Sequence, residues 1–224
     1  IPMVKLPTLP YFTAAAAALG AAITTNVGQG LYGLHSFPDG PPSLPFTLDG
    51  ATPADLHALP RHKLVALWHH LDAAETPPPG RYDGTILPAG PLSPFSLFIS
   101  HTLWNDAPRG YDRWAGKVFE EVPAAPGGSR MGMNRFSRKQ KRDEEALSRR
   151  FVMDPRASSI DGRRSLTLDY SAENGLFWGT MRDELRQVRP GLLLGLGSIG
   201  ALGGALNSAV FCLEAAPSGP SGAG

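Results

Sequence analysis

The sequence predicts a mainly β chain, α+β overall: an antiparallel up-and-down barrel of about eight strands, preceded by a helical segment and an apolar N-terminal arm. Turn dipeptides punctuate the stretch from Ser158 to Leu213, at Asp161-Gly162, Asn174-Gly175, Pro190-Gly191 and Gly203-Gly204. Asp-Gly and Asn-Gly supply the positive φ angles of tight hairpin turns, and Pro-Gly suits a type II turn. Between these turns lie the short runs Ser165–Tyr170, Leu176–Val188, Leu192–Ile199 and Ala209–Leu213. Their spacing leaves no room for the crossover helices that parallel strands need, so the strands form a meander. A meander that continues closes on itself, because closure removes unpaired edges.

The elements follow in chain order. In residues 1–34 the single charge is Lys5, and nothing from Leu6 to Leu34 is charged. That length can span a bilayer. Thr24, Thr25, Asn26 and Gln29 dilute it, however, and Ala14–Ala18 with Leu19-Gly20-Ala21-Ala22-Ile23 equally suits a helix packed closely against protein. Two partners are therefore open: a membrane through residues 6–34, or a protein complex through residues 1–45, with the Pro-rich coil from Phe37 to Pro45 wrapping it.

Residues 35–79 pass from Pro/Gly-rich coil to a helix. Thr52 is placed as its N-cap, with Pro53 at the first position and Asp55 in the first turn. Leu56, Leu59, Leu64, Leu67, Trp68 and Leu71 give an apolar stripe, Pro60 divides it into two helices, and Pro77-Pro78-Pro79-Gly80 ends it. Residues 80–214 are the expected barrel, opening with strands at Arg81–Leu87, Trp114–Phe119, Met131–Phe136 and Leu147–Met153. Residues 215–224, rich in Ala, Pro, Ser and Gly, read as a flexible tail.

Composition narrows the function classes. Lys and Arg number 21 against 20 acidic residues, so no global field draws the chain to nucleic acid, and none is expected as a partner. Cys212 is the single cysteine, which rules out an intrachain disulfide and fits either a reducing compartment or a protein that needs no bridges. The chain begins at Ile1, as a processed product or a fragment would. An organelle (plastid or mitochondrion) or the cytoplasm is the expected location, with membrane association through the arm as one of the two open readings.

The segment Gly80-Arg81-Tyr82-Asp83-Gly84, followed by Trp114-Ala115-Gly116-Lys117-Val118-Phe119, resembles the opening of small lipocalin-like (calycin) proteins of the GXWXG type, with Tyr82 standing at the pattern's Trp. Arg182-Asp183-Glu184-Leu185-Arg186-Gln187-Val188, the turn and Leu193-Leu194-Gly195 are similar to that group's acidic–apolar–Arg segment and the hairpin after it. Val210-Phe211-Cys212-Leu213 resembles its closing strand. The resemblance runs from Gly80 to Leu213 and implies a calycin-like barrel with an apolar cavity. It implies no agreed chemistry and carries over no catalytic residue.

Several constellations invite a function. His57, His62, His69 and His70 lie close together, but no i, i+4 pair with a supporting Glu forms a helical zinc site, so they read as a solvated helix surface. Between Arg135 and Arg150, the basic Arg138, Lys139, Lys141 and Arg142 precede Asp143, Glu144 and Glu145. Interspersed signs without aromatics mark a solvated face, with an anionic head group or a partner protein as the functional alternative. On a strand, Arg182, Glu184 and Arg186 share one face and Asp183 and Leu185 the other. An inward Asp183 needs a cation, and Arg113 or Lys117 could supply it. It would make either a structural ion pair or an anchor for a ligand's polar end.

Tyr82, Trp114, Tyr170, Phe177 and Trp178 are spread over the strands, and large aromatics commonly fill small barrels. If Gly84, Gly116, Gly179, Gly195 and Gly197 lie opposite them, space remains for a ligand. No phosphate loop and no Ser or Cys nucleophile signature is present.

The expected function is non-enzymatic binding of a hydrophobic or amphipathic small molecule. The barrel-interior candidates are Tyr82, Trp114, Trp178, Asp183 and Arg186, with no cofactor and no metal. The alternative is a structural or assembly subunit of a larger organellar complex. A third reading, an isomerase or cyclase, would rest on Asp183.

Overall fold

Strands that alternate inward and outward residues can bury two different surfaces, and this chain uses both. The computed structural model describes residues 40–74, 77–88, 111–120, 130–138, 145–202, 204 and 208–217. The N-terminal arm, most of the proposed partner segment, the run Lys139–Glu144 and the end of the tail lie outside the described residues.

The strands are β1 (Gly80–Ile86), β2 (Tyr111–Phe119), β3 (Arg130–Arg138), β4 (Glu145–Ala157), β5 (Arg164–Asp169), β6 (Met181–Arg189), β7 (Leu192–Ile199) and β8 (Ala209–Ala215). They pair in sequence order, every pair antiparallel, and β1 pairs with β8 to close the barrel. This is the expected up-and-down fold. Several predicted bounds move: β2 begins at Tyr111 and not Trp114, and β4 runs from Glu145 to Ala157 and not from Leu147 to Met153. Leu176–Thr180 is not strand: Trp178–Thr180 forms a 3-10 turn ahead of β6. At the other end, Ala215 belongs to β8, opposite Tyr82, so the barrel takes in the first residue of the predicted tail.

Period-two alternation separates two apolar clusters. Tyr82, Trp114, Phe119, Phe136, Phe151, Leu166, Leu168, Leu185, Leu193, Phe211 and Leu213 fill the inside. Leu192, Leu194, Leu196, Val210 and Cys212 face outward and are covered by two helices, α1 (Pro53–His57) and α2 (Arg61–His70), through Leu56, Leu64, Leu67 and Trp68. Strand β7 is buried on both sides, which explains why its leucines run on without polar interruption.

The helices begin as their sequence dictates. Thr52 Oγ1 accepts the Asp55 N–H at 3.2 Å, and the Asp55 carboxylate accepts the Thr52 N–H at 3.0 Å, a reciprocal capping box. Pro60 stands at the N-cap of α2 and separates the helices. After α2 the chain joins the sheet. β5 pairs with β6 only as far as Leu166 opposite Leu185, and Asp72 and Ala73 take its place beyond, where the Gln187 N–H bonds the Asp72 carbonyl at 3.1 Å. Ala74 then enters the inner cluster at this end of the barrel.

One irregularity on β2 has a clear cause. The β2–β3 register slips between Trp114 and Gly116, and Gly116 adopts φ +135°. A Cβ there would lie 2.0 Å from the Tyr82 carbonyl oxygen. The guanidinium of Arg135 on β3 donates to that carbonyl at 3.0 Å and to Asp83 at 2.9 Å. It also pairs with Glu145.

Gly116→Ala should therefore destabilise the protein by about 3 kcal/mol or more, since backbone strain and a backbone clash add. Gly175→Ala, with nothing within 4 Å of the added methyl, should stay within about 0.5 kcal/mol of the parent. Urea denaturation of both variants checks the contrast.

Candidate functional site

Five side chains meet inside the barrel: Trp114 and Lys117 of β2, Asn134 of β3, Tyr170 just after β5 and Asp183 of β6. Lys117, on the inner face of β2, is 1% exposed. Its Nζ donates to Asn134 Oδ1, Tyr170 OH and Asp183 Oδ2, each at 2.7 Å. Tyr170 OH donates to Asp183 Oδ2 at 2.8 Å. Asn134 Oδ1 also accepts Trp114 Nε1–H at 3.0 Å, and Asn134 Nδ2 donates to the Arg149 carbonyl at 3.2 Å and to Tyr170 OH at 3.0 Å. All three ammonium protons and both Asn134 amide protons are thus committed. The rings of Phe151, Tyr170, Trp114 and Phe211 surround Nζ at 5.0 to 5.6 Å.

Electrostatics agree with the geometry. Burial pulls the Lys117 ammonium below its ordinary value, against the charge and hydrogen bond of Asp183. Burial, followed by the Asp183 charge, holds the Tyr170 phenol well above its ordinary value, so its proton stays on oxygen as a donor. The cluster keeps one charge pair dry and fixed.

Arg149 lies beside it. Opposite the Met133–Asn134 step of β3, β4 carries one extra residue between Arg150 and Ser148, and that residue, Arg149, has φ +53°. A left-handed conformation costs a non-glycine residue about 1–2 kcal/mol. The bulge turns the guanidinium to stack between Phe136, at 4.9 Å, and Trp178, at 4.0 Å. Within the run Arg135–Arg150, expected to be solvated, Arg135 and Arg149 are buried while Arg150 is exposed.

Of the five residues picked from the sequence, Trp114 and Asp183 belong to the polar cluster, and Lys117 is the cation that Asp183 requires. The side chain of Arg113, the other cation considered, lies outside the described residues. Tyr82 packs edge-on against Phe119 at 4.8 Å, lower in the same interior, with its hydroxyl donating to the Pro78 carbonyl. Trp178 caps Arg149 at one barrel end.

Arg186 is a correction. It lies on the opposite face of β6 from Asp183, outside the barrel and under α2. The space opposite the glycines is also corrected. Added Cβ atoms at Gly84, Gly195 and Gly197 would meet Trp114, Phe211 and Asp183 at 2.5, 2.4 and 2.7 Å, so the protein's own side chains occupy it. Asn134 and Arg149 were not singled out from the sequence. Asn134 alternates with Gly132 and Phe136 on the inward face of β3, which is the signal that could have found it.

Outside the barrel, Arg186 makes a second cluster. It is fully buried and stacks on the Trp68 ring at 3.8 Å. Its guanidinium grips both oxygens of Asp161 at 2.7 and 2.8 Å and donates to the Trp68 and His69 carbonyls at the end of α2, each at 3.0 Å. His69 Nδ1 bonds the same carboxylate at 2.7 Å, so this histidine is not simply solvated. Among the described residues no group of three or more His, Cys, Asp or Glu could hold a metal ion.

No protein-family model matches the chain, and no curated protein matches it. Among solved structures, the crystal structure of a protein from Thermomonospora curvata is similar over 71% of this chain and 89% of its own, at 15% identity and a TM-score of 0.39.

Two predictions follow from the clusters. Lys117→Met strands a buried carboxylate and should cost about 3–5 kcal/mol, and adding Asp183→Asn should recover part of that loss. Additive costs in chemical denaturation would show that the two are not coupled. The second concerns acid. Burial pulls the His69 ring below its ordinary 6.5, against the bond and charge of Asp161. The unfolded chain then takes up the proton first, so stability is intact above pH 6.5 and declines as pH falls through the lowered value. Urea midpoints measured down to about pH 5 should fall in the parent and flatten in His69→Gln.

Proposed function

We propose that the protein is a lipocalin-like carrier of an amphipathic small molecule, held at one end of its barrel and not at the centre. The observation that carries this reading is a set of inward-facing apolar residues that stay partly exposed. Ile86 at the end of β1, Ile199 at the end of β7 and Trp178 ahead of β6 pack on the inner cluster from the same end. The opposite end receives Ala74 from the segment after α2. Below the apolar ring lie the stacked Arg149 guanidinium and the polar cluster. An apolar rim above a few convergent polar groups is the arrangement that holds an amphiphile and orients its head. Trp178 and Trp114 are the aromatic contacts in this reading, and Tyr82 supports the interior beneath them.

A second reading, a docking scaffold within a larger assembly, is favoured by a different fact: the glycine faces of β1 and β7 give their space to Trp114, Phe211 and Asp183. The fully closed hydrogen-bond network likewise leaves no uncommitted proton for the isomerase or cyclase reading to use.

Titration of the full chain with a fluorescent fatty acid analogue should give saturable uptake. Trp178→Ala should weaken it by about tenfold, the effect of losing one well-buried aromatic contact. Native mass spectrometry of protein purified from its source should release a stoichiometric lipophile. Absence of uptake, or uptake indifferent to Trp178, together with co-purifying polypeptides and no lipophile, would replace the carrier with the scaffold.

A further inference from the structure

Strand β4 outruns its neighbour. The last pair between β4 and β5 is Val152 opposite Asp169, while β4 reaches back to Glu145. The Arg150 carbonyl lies just past that point, where β5 no longer offers an N–H. A side chain takes over. Asn174 Nδ2 donates to the Arg150 carbonyl at 2.8 Å and to the Tyr170 carbonyl at 2.8 Å. Both amide protons are then committed. The amide clips the connection between β5 and β6 to β4, and closes that connection on its own base at Tyr170. Further along it, the Trp178 ring lies over the Arg149 guanidinium at 4.0 Å.

The residue that makes the clip is also a labile one. Asn174-Gly175 is the single Asn-Gly step of the chain. An asparagine amide is open to attack by the backbone nitrogen of the next residue, and glycine gives that nitrogen no side-chain shield. The residues on either side, 171–173 and 175–177, are exposed, and a Cβ at Gly175 would meet nothing within 4 Å, so water reaches the step.

We propose that Asn174 is a deamidation site and that its modification unlocks the clip. The Gly175 nitrogen gives its proton to solvent and bonds Cγ of Asn174. The Cγ–Nδ2 bond breaks, and ammonia leaves with a proton returned from solvent. Water then opens the cyclic imide at either carbonyl, leaving aspartate or isoaspartate and one new negative charge. The fold restrains the first step. Ring closure makes Cγ tetrahedral and turns Nδ2 out of the amide plane, against both carbonyl bonds, so closure waits for the connection to open. The product cannot rebuild the clip, because a carboxylate has no N–H to donate and sets its charge against two carbonyl oxygens. A brief opening thus becomes a lasting one beside Trp178. The clip acts whether or not the barrel carries a ligand.

The test ages the full chain in mildly alkaline buffer, folded and in urea, and follows the Asn174 peptide by mass spectrometry for conversion of amide to acid. Conversion should be slower in the folded protein by about tenfold or more, as for a group exposed only by local opening. Hydrogen exchange over residues 174–181 gives the second readout. Asn174→Asp and the aged parent should exchange there about tenfold faster than fresh protein, the effect of losing at least one net hydrogen bond. Gly175→Ala keeps the clip and places a methyl beside the attacking nitrogen, so it should resist both conversion and loosening. Equal conversion in buffer and in urea overturns the proposal, and so does unchanged exchange in Asn174→Asp. If aged Gly175→Ala loosens as much as the aged parent, the cause lies at another residue and the proposal fails.

Discussion

A single buried charge pair organises the barrel. Lys117 and Asp183 stand at 2.7 Å with almost no solvent access, and neither is tolerable inside without the other. Around them the hydrogen bonds pull in Asn134 from β3, Tyr170 from the end of β5 and the backbone of Arg149 on β4, so five strands are referred to one point. Apolar packing alone would accept many registers of a meander, since shifting a strand by two residues again presents a hydrophobic face. The network does not, because a slip would leave several buried donors without acceptors. The β4 bulge follows from the same demand: with Arg149 in the left-handed region, its carbonyl meets the Asn134 amide while its guanidinium stays between two rings.

On the outer surface Arg186 has the corresponding role. Its guanidinium joins β6 to the last carbonyls of α2 and to Asp161 in the β4–β5 turn. The helices therefore do more than cover apolar leucines. They are fixed in rotation and height, since the Trp68 indole must lie over the guanidinium while its N–H reaches the Glu184 carbonyl at 3.3 Å. Asp183 and Arg186, three positions apart on β6, thus serve two separate polar centres, one inside and one outside, through nothing more than the pleat of the strand.

The fold was legible because its signals are local. Pro190-Gly191 sets the β6–β7 hairpin with Gly191 at φ +79°, Asp161-Gly162 turns β4 into β5 with Gly162 at φ +73°, and Thr52-Pro53-Ala54-Asp55 starts the helix. Asn174-Gly175 misled, because its side chain bonds two carbonyls across the loop and the chain makes a 3-10 turn before β6 begins. The site was legible only in part. Alternation correctly set Asp183 apart from Arg186, and the need for a counter-charge pointed to Lys117. Whether a charged outer residue stays in solvent or lies beneath a helix depends on where a distant segment packs, and period two holds no information about that. Arg149 was hidden for a similar reason, since it works through a bulge with no sequence mark of its own, whereas the alternation of β3 did mark Asn134 as inward.

The insertion of Asp72 and Ala73 beside β6 makes the order of synthesis matter. The helical segment leaves the ribosome long before the strands that receive it: Trp68 and its acceptor at Glu184 are 116 residues apart, and Arg61 bonds the Ser208 carbonyl across 147. Until β6, β7 and β8 exist, the leucine stripe and the Trp68 indole have no native partner. Such distant pairings make folding slow and leave apolar surface open during translation. A nascent chain of this design would call for a chaperone that shields α2 until the last strand is complete.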